Sequence, residues 1–311
     1  MRHHSHAPDR TLASVYGGAG ERFAWKAVQD LYKADRLEEA YKQALELGAG
    51  TMAYGLTTYR MIEAEWQTRR QSTTRKLSKL LTLEWIPEAV GNIDEIESAV
   101  LKACDETSRR LDLRQETPTL VTILAEEANT PWTPFRHGFC TPKARFAKIC
   151  IPHYLTADAG RLQAALRHEY AHVLSLSAAS ELCASWLDEA VAMQIGDSQD
   201  PGAWADFADG SVPWLTPGRL NGAFLKDRES EPGRSEVRLA YLQSACLGAF
   251  LVHLRPEAAL GRLLSAHSSS YWERLWCVVR NEQPTDAALR RVYGFASREL
   301  FARARAWIGT Y

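Results

Sequence analysis

Apolar positions along the second half of the chain recur at helical spacing. Leu162, Leu166, Tyr170, Val173 and Leu174 predict one helix, with Thr156 or Asp158 available as its start signal. Trp186, Leu187, Val191 and Met193 predict the next, and Ser185-Trp186-Leu187-Asp188 has the spacing of a capping box at its start. Tyr241 to Leu254 reads as a strongly apolar helix. Pro256 opens another containing Leu260, Leu263 and Leu264, and Leu289 to Trp307 completes a helical C-terminal subdomain. Upstream, Thr119 to Leu124 and Ala147 to Pro152 are short apolar runs of strand type. They flank a loop rich in proline and aromatics, Thr130 to Phe139. Ile93, Ile96, Val100 and Leu101 give a helix ending near Leu111-Asp112-Leu113. Nearer the start, Trp25, Val28, Leu31, Tyr32, Leu37, Ala40, Tyr41 and Ala44 predict a helix pair broken near Ala34-Asp35 and stopped by Gly48 and Gly50.

The pattern changes near Trp85-Ile86-Pro87, which divides the chain into a disordered, histidine-rich tail over 1–22, a helical N-terminal segment over 23–86 and a main domain over 87–311. Leu37-Glu38-Glu39-Ala40 and Ala44-Leu45-Glu46-Leu47 are similar to the second helix of a tetratricopeptide repeat. Stable stacks need about three repeats and no second unit follows, so a helical appendage, available to a protein partner, is the better reading. Arg69, Arg70, Arg75, Lys76 and Lys79 form a basic run, either a solvated face or a contact surface. The Gly-, Pro- and charge-rich stretch from Asp206 to Arg238 reads as a long connection.

Candidate chemistry concentrates in His168-Glu169-Tyr170-Ala171-His172. On a helix His168 and His172 lie one turn apart on one face and can direct imidazole nitrogens at a single ion, which suits Zn2+. A catalytic zinc generally uses three protein ligands and leaves a fourth position for water. Glu189, in the first turn of the following helix, is the best candidate for the third, because the intervening chain is long enough to turn and come back antiparallel. Glu169 projects about 100° around the helix from His168 and so faces a water, where it would serve as general base. Asp188 has two readings, orienting a histidine or capping its helix, and the box spacing favours the cap. His137, His153, His253 and His267 fall outside any ligand spacing.

These two blocks resemble the gluzincin zinc peptidases, specifically the peptidase MA-like domains related to the aminopeptidase N group. Their pattern is His-Glu-x-x-His followed by Trp-Leu-x-Glu-Gly, matched here by Trp186-Leu187-Asp188-Glu189-Ala190. Ala240 to Ala245 resembles their later tyrosine helix, Leu289 to Ile308 their closing helices, and Thr119 to Leu124 and Ala147 to Pro152 their strands before the metal helix. The resemblance covers roughly the last two-thirds of the chain. It implies an α+β, zincin-like fold, with a small sheet, a metal-binding helix pair and a helical C-terminal subdomain. It also implies hydrolysis of peptide bonds, Tyr241 as donor to the oxyanion, and a strand near Ile149 holding extended peptide by main-chain hydrogen bonds. The Gly-x-Met-x-Asn motif of aminopeptidases is absent, which favours an endopeptidase over an exopeptidase. Neither Ala192 nor Met193 offers the carboxylate sometimes found behind the ligands. An interaction protein on a peptidase scaffold and a structural zinc site are the rival readings.

Composition narrows the rest. The 311 residues are 46% hydrophobic with a net charge of -1, so no overall field favours nucleic acid or an anionic membrane. Six widely spread cysteines without a Cys-x-x-Cys pair read as buried thiols. No apolar leader opens the chain, and the apolar run Ala245 to Leu254 is short for a bilayer, which together predict a cytoplasmic protein.

Overall fold

A computed structural model describes residues 25–48, 56–88, 90–124, 138–142, 145–179, 183–197, 204–224, 231–267 and 283–310. The expected tail over 1–22, most of the Pro- and aromatic-rich loop, His137 and Cys277 lie outside the described residues. The architecture is α+β, a five-stranded mixed sheet covered on both faces by helices.

The N-terminal segment contains α1 (residues 25–33), α2 (Leu37–Glu46) and α3 (Leu56–Arg69). The break between α1 and α2 falls at Asp35, whose φ of 59° ends a helix, and the Arg69 guanidinium pairs with its carboxylate at 3.1 Å. Trp25, Val28, Tyr32, Leu37, Ala40, Ala44, Tyr59 and Ile62 form a small core between the three helices.

The sheet runs in the order β1-β2-β3-β5-β4, from β1 (Thr73–Lys76), β2 (Leu81–Trp85), β3 (Thr119–Leu124), β4 (Phe139–Pro142) and β5 (Ala147–Pro152). Strands β2, β3 and β5 are parallel, while β1 and β4 are antiparallel edges. Two of these strands precede residue 87, so the sheet begins ahead of the expected boundary. Part of the basic run is β1, an exposed edge whose charges suit a strand open to water. The strand around Ile149 is not an edge. β5 is paired on both sides and buried throughout, and the edge beside it is β4.

One face of the sheet carries the main core. Leu83, Val121, Ile123, Ile149 and Ile151 pack with Ile96, Val100 and Ala103 of α4 (Ile93–Leu111) and Leu162, Leu166, Tyr170 and Val173 of α5 (Ala159–Ala179). α4 starts on an Asn92 side-chain cap and ends at left-handed Asp112. α5 starts at Asp158, whose carboxylate accepts from the Arg161 amide at 3.0 Å. The opposite face presents Glu84, Thr122, Lys148 and Cys150 toward α3.

The remaining helices are α6 (Ser185–Ile195), α7 (Ala205–Ala208), α8 (Pro217–Ala223), α9 (Glu231–Leu254), α10 (Ala258–Ser265), α11 (Pro284–Tyr293) and α12 (Ser297–Ile308). The stretch read as a long connection therefore holds two short helices and the start of α9. The window Ser235–Leu254 of α9 is long and apolar enough to cross a membrane by length and composition, longer than the run singled out in the sequence, yet 56% of it is buried inside the protein. It crosses α6 at Gly248, where an added Cβ would stand 2.5 Å from the Ala190 carbonyl oxygen and 2.8 Å from Gln194 Cγ. Only glycine permits that approach.

Candidate metal centre

α5 delivers His168, Glu169 and His172, and α6 returns beside it to deliver Asp188 and Glu189. The pairing of the two helices is enforced at the far end of α6. Arg110 of α4 donates to the carbonyls of Ile195 at 2.8 Å and Gln194 at 3.1 Å, and Arg167 of α5 donates to Ile195 at 3.2 Å. Both guanidiniums also grip Asp197, at 3.1 and 2.6 Å. Cations on the last carbonyls of a helix satisfy its orphan acceptors and its dipole.

The two imidazole rings stand edge to face with centroids 5.0 Å apart. Glu189 Oε2 lies 3.6 Å from His168 Nε2 and 3.7 Å from His172 Nε2. Bonds of 2.0–2.2 Å to a tetrahedral zinc imply ligand-to-ligand spacings of about 3.4 Å, so each of these two nitrogen–oxygen spacings is within a few tenths of an ångström of that between two ligands of one ion. The same Glu189 Oε2 is buried and accepts no hydrogen bond. The three side chains are 13–16% exposed, which leaves one side of the group open to solvent.

Glu169 also reaches this group: its carboxylate and one nitrogen of each histidine lie within 4.8 Å of one another. Two carboxylates therefore approach the imidazole pair. Glu189 has the ligand spacing and the unsatisfied oxygen, whereas Glu169 is turned toward the sheet edge. An added Cβ at Gly138, where β4 begins, would stand 3.3 Å from Glu169 Cγ and 2.9 Å from the Cys150 carbonyl oxygen, and φ there is +103°. Glycine lets the edge strand start directly over Glu169. Burial raises the pKa of that carboxyl, and Glu189 and Asp188 reinforce the shift against the two imidazoles. Among the described residues no cysteine and no third histidine joins the group.

Asp188 does not cap its helix. The N-cap is Ala184, without a side-chain hydrogen bond, and Asp188 Oδ2 instead lies 2.9 Å from His172 Nδ1. The carboxylate missing from Ala192 and Met193 is supplied from the position just before Glu189. Burial alone would lower the pKa of His172, but Asp188 first and then Glu189 and Glu169 outweigh it and lift it to about 10. The carboxyl of Asp188 is disfavoured by burial yet ends below the ordinary range because of His172.

No family model, no curated protein and no solved structure matches this chain. What the site can do follows from its own residues. Tyr241 lies on α9 with its ring edge-on to Phe224 at 5.2 Å. Of the other histidines, His267 is buried between the Leu263 carbonyl and Thr285, and His253 stacks on Trp307.

Sequence reasoning ranked Asp188's histidine partner second to a cap, and missed Gly138 and β4. A carboxylate adjacent to a ligand was the available signal for the first. A glycine at the exit of a Pro-rich loop was the signal for the other two.

Proposed function

We propose that the chain is a zincin-like, zinc-dependent metallopeptidase, an endopeptidase, with His168, His172 and Glu189 as ligands of Zn2+ and Glu169 as general base. The observation that carries this reading is Glu189 Oε2, equidistant from two imidazole Nε2 atoms and buried without a hydrogen bond. A carboxylate oxygen in that position is costly unless a cation joins it. Zinc bound there would polarise a scissile carbonyl and lower the pKa of a water.

The chain's own residues supply the remainder. Glu169 would take the proton of the attacking water and pass it to the leaving nitrogen, a role typically contributing about 10²–10⁴-fold. Asp188 holds His172 with its Nε2 toward the metal. β4, the outer strand of the sheet among the described residues and starting over Glu169, would offer main-chain groups to an extended peptide in the strand-addition mode. A donor for the oxyanion is still required, and Tyr241 keeps that proposed role on the strength of the resemblance alone.

The test is metal analysis together with incubation of N-terminally blocked peptides. Wild type is expected to hold zinc and cleave blocked peptides internally, whereas E169Q keeps zinc and loses turnover. Undiminished cleavage by E169Q with unchanged zinc refutes the mechanism, and cleavage of unblocked peptides alone would favour an exopeptidase.

A further inference from the structure

Lys148 sits in the middle of β5, wholly buried, in a strand that is otherwise apolar apart from Cys150. Its ammonium lies 2.7 Å from Glu65 of α3 and 3.7 Å from Glu84 of β2. Glu84 is held in turn by the Thr122 hydroxyl at 2.7 Å and the Ser72 hydroxyl at 3.1 Å. Glu65, also fully buried, accepts a short hydrogen bond from the Tyr32 hydroxyl of α1. Burial first, and then Glu65, hold the Tyr32 phenol pKa well above its ordinary value, while the Thr141 side chain, within reach of the same oxygen, works the other way. Thr141 belongs to β4 and stands directly across from Lys148 in the ladder.

A polar chain therefore runs from the sheet edge through the N-terminal helices to the buried ammonium. Apolar contacts run beside it, since Phe139 of β4 packs with Ala64 of α3, Leu124 and Cys150. Burying such charges is not a cheap route to stability: replacing a buried ion pair with apolar side chains is often neutral or stabilising. What the pair does supply is a fixed position. β4 is four residues long and has one ladder partner, the kind of strand that frays readily.

We propose that the N-terminal helices brace the peptide-binding edge, with Tyr32, Glu65 and Lys148 as positioning residues that fix β4 over Glu169. This rests on the peptidase reading for its functional consequence and on the contacts alone for its structural one. The helical segment is then part of the substrate-binding apparatus, not a detachable appendage. A shift of about 1 Å in a substrate-positioning strand can cost on the order of 10²-fold in kcat/KM, so the brace bears on the capture of peptide without touching it.

Tyr32→Phe and Thr141→Val each remove the hydrogen bond from one end while keeping shape. In the full-length protein both should speed backbone amide exchange over residues 139–141 by about tenfold and raise KM by about tenfold with kcat and zinc content little changed. Exchange and KM at wild-type values in both variants would overturn the proposal, as would faster exchange without any rise in KM. Should Tyr32→Phe fail to fold, Thr141→Val decides. A wild type that cleaves no peptide would sink the peptidase reading, while the exchange data would still decide whether the helices hold the strand.

Discussion

Replacing Asp188 by Asn keeps the shape of the side chain beside His172 and removes its charge, which separates two effects with opposite consequences for metal binding. The first is competition by a proton. With the His172 pKa lifted to about 10 in the metal-free protein, a metal binding at pH 7 displaces a proton three units below that value, a penalty of about 4 kcal/mol or roughly a thousandfold. Asp188 heads the groups that raise this pKa against burial, so in the variant part of that penalty disappears. The second effect is orientation. Loss of a carboxylate behind a histidine ligand typically costs about 10–100-fold in affinity, or ~1.4–2.7 kcal/mol.

The same negative charge that holds a proton on His172 also attracts a dication, and the loss on removing such a carboxylate is a net one, so D188N should bind zinc about 10–100-fold more weakly than wild type at pH 7. Wild-type affinity should climb about tenfold per pH unit between pH 7 and 9 as the competing proton leaves, while the variant stays nearly flat. The gap between the two curves should therefore widen in the alkaline range. Competition with a fluorescent zinc chelator across that window measures both slopes. A companion signal exists without metal: a raised histidine pKa contributes stability that is complete below about pH 6.5 and is lost as pH rises through the folded value. Chelator-treated wild type should thus lose stability between pH 7 and 10, and D188N should not. Parallel slopes for the two proteins would refute the link between Asp188 and His172.

Three further outcomes follow. Glu189→Ala should weaken zinc binding by more than the roughly 10–100-fold that a supporting residue is worth, as read by metal content after dialysis. Gly138→Ala should lower thermal stability by at least ~1–2 kcal/mol, the cost of a side chain at positive φ, with more from the 2.9 Å approach to the Cys150 carbonyl; an unchanged melting temperature would contradict the tight start of β4. Lys148→Met should destabilise the protein by about 3–5 kcal/mol in urea unfolding, since Glu65 and Glu84 keep buried charge without their partner, while Lys148→Met with Glu65→Leu should recover much of that loss.

The residues that converge on one point were legible because helical spacing alone carries them. His168 and His172 share a face, and the return of Glu189 follows from the chain length between them. The neighbourhood was harder to read for physical reasons. Ser185-x-x-Asp188 fits a capping box, but a capping carboxylate and one that reaches across to another helix look alike in one dimension, and burial of Asp188 is a tertiary fact. β1 is polar and open on one side, so it shows no alternation and was hidden in a basic run. β4 is too short for any period. The run Ala147 to Pro152 did carry a usable sign: a strand apolar on both faces belongs inside a sheet, and lysine within it calls for a buried partner. That partner comes from α3, beyond the expected boundary, which no local pattern reveals.

The clamp of Arg110 and Arg167 on the last turn of α6 has a thermodynamic consequence. Small zinc domains spend the ion's binding energy on folding and collapse when it is withdrawn. Here α5, through Arg167, and α4, through Arg110, are both fastened to the last turn of α6, at the opposite end of that helix from Glu189. Stripping the ion should leave an intact, empty receptor, so that inactivation by chelators is reversed simply by returning zinc.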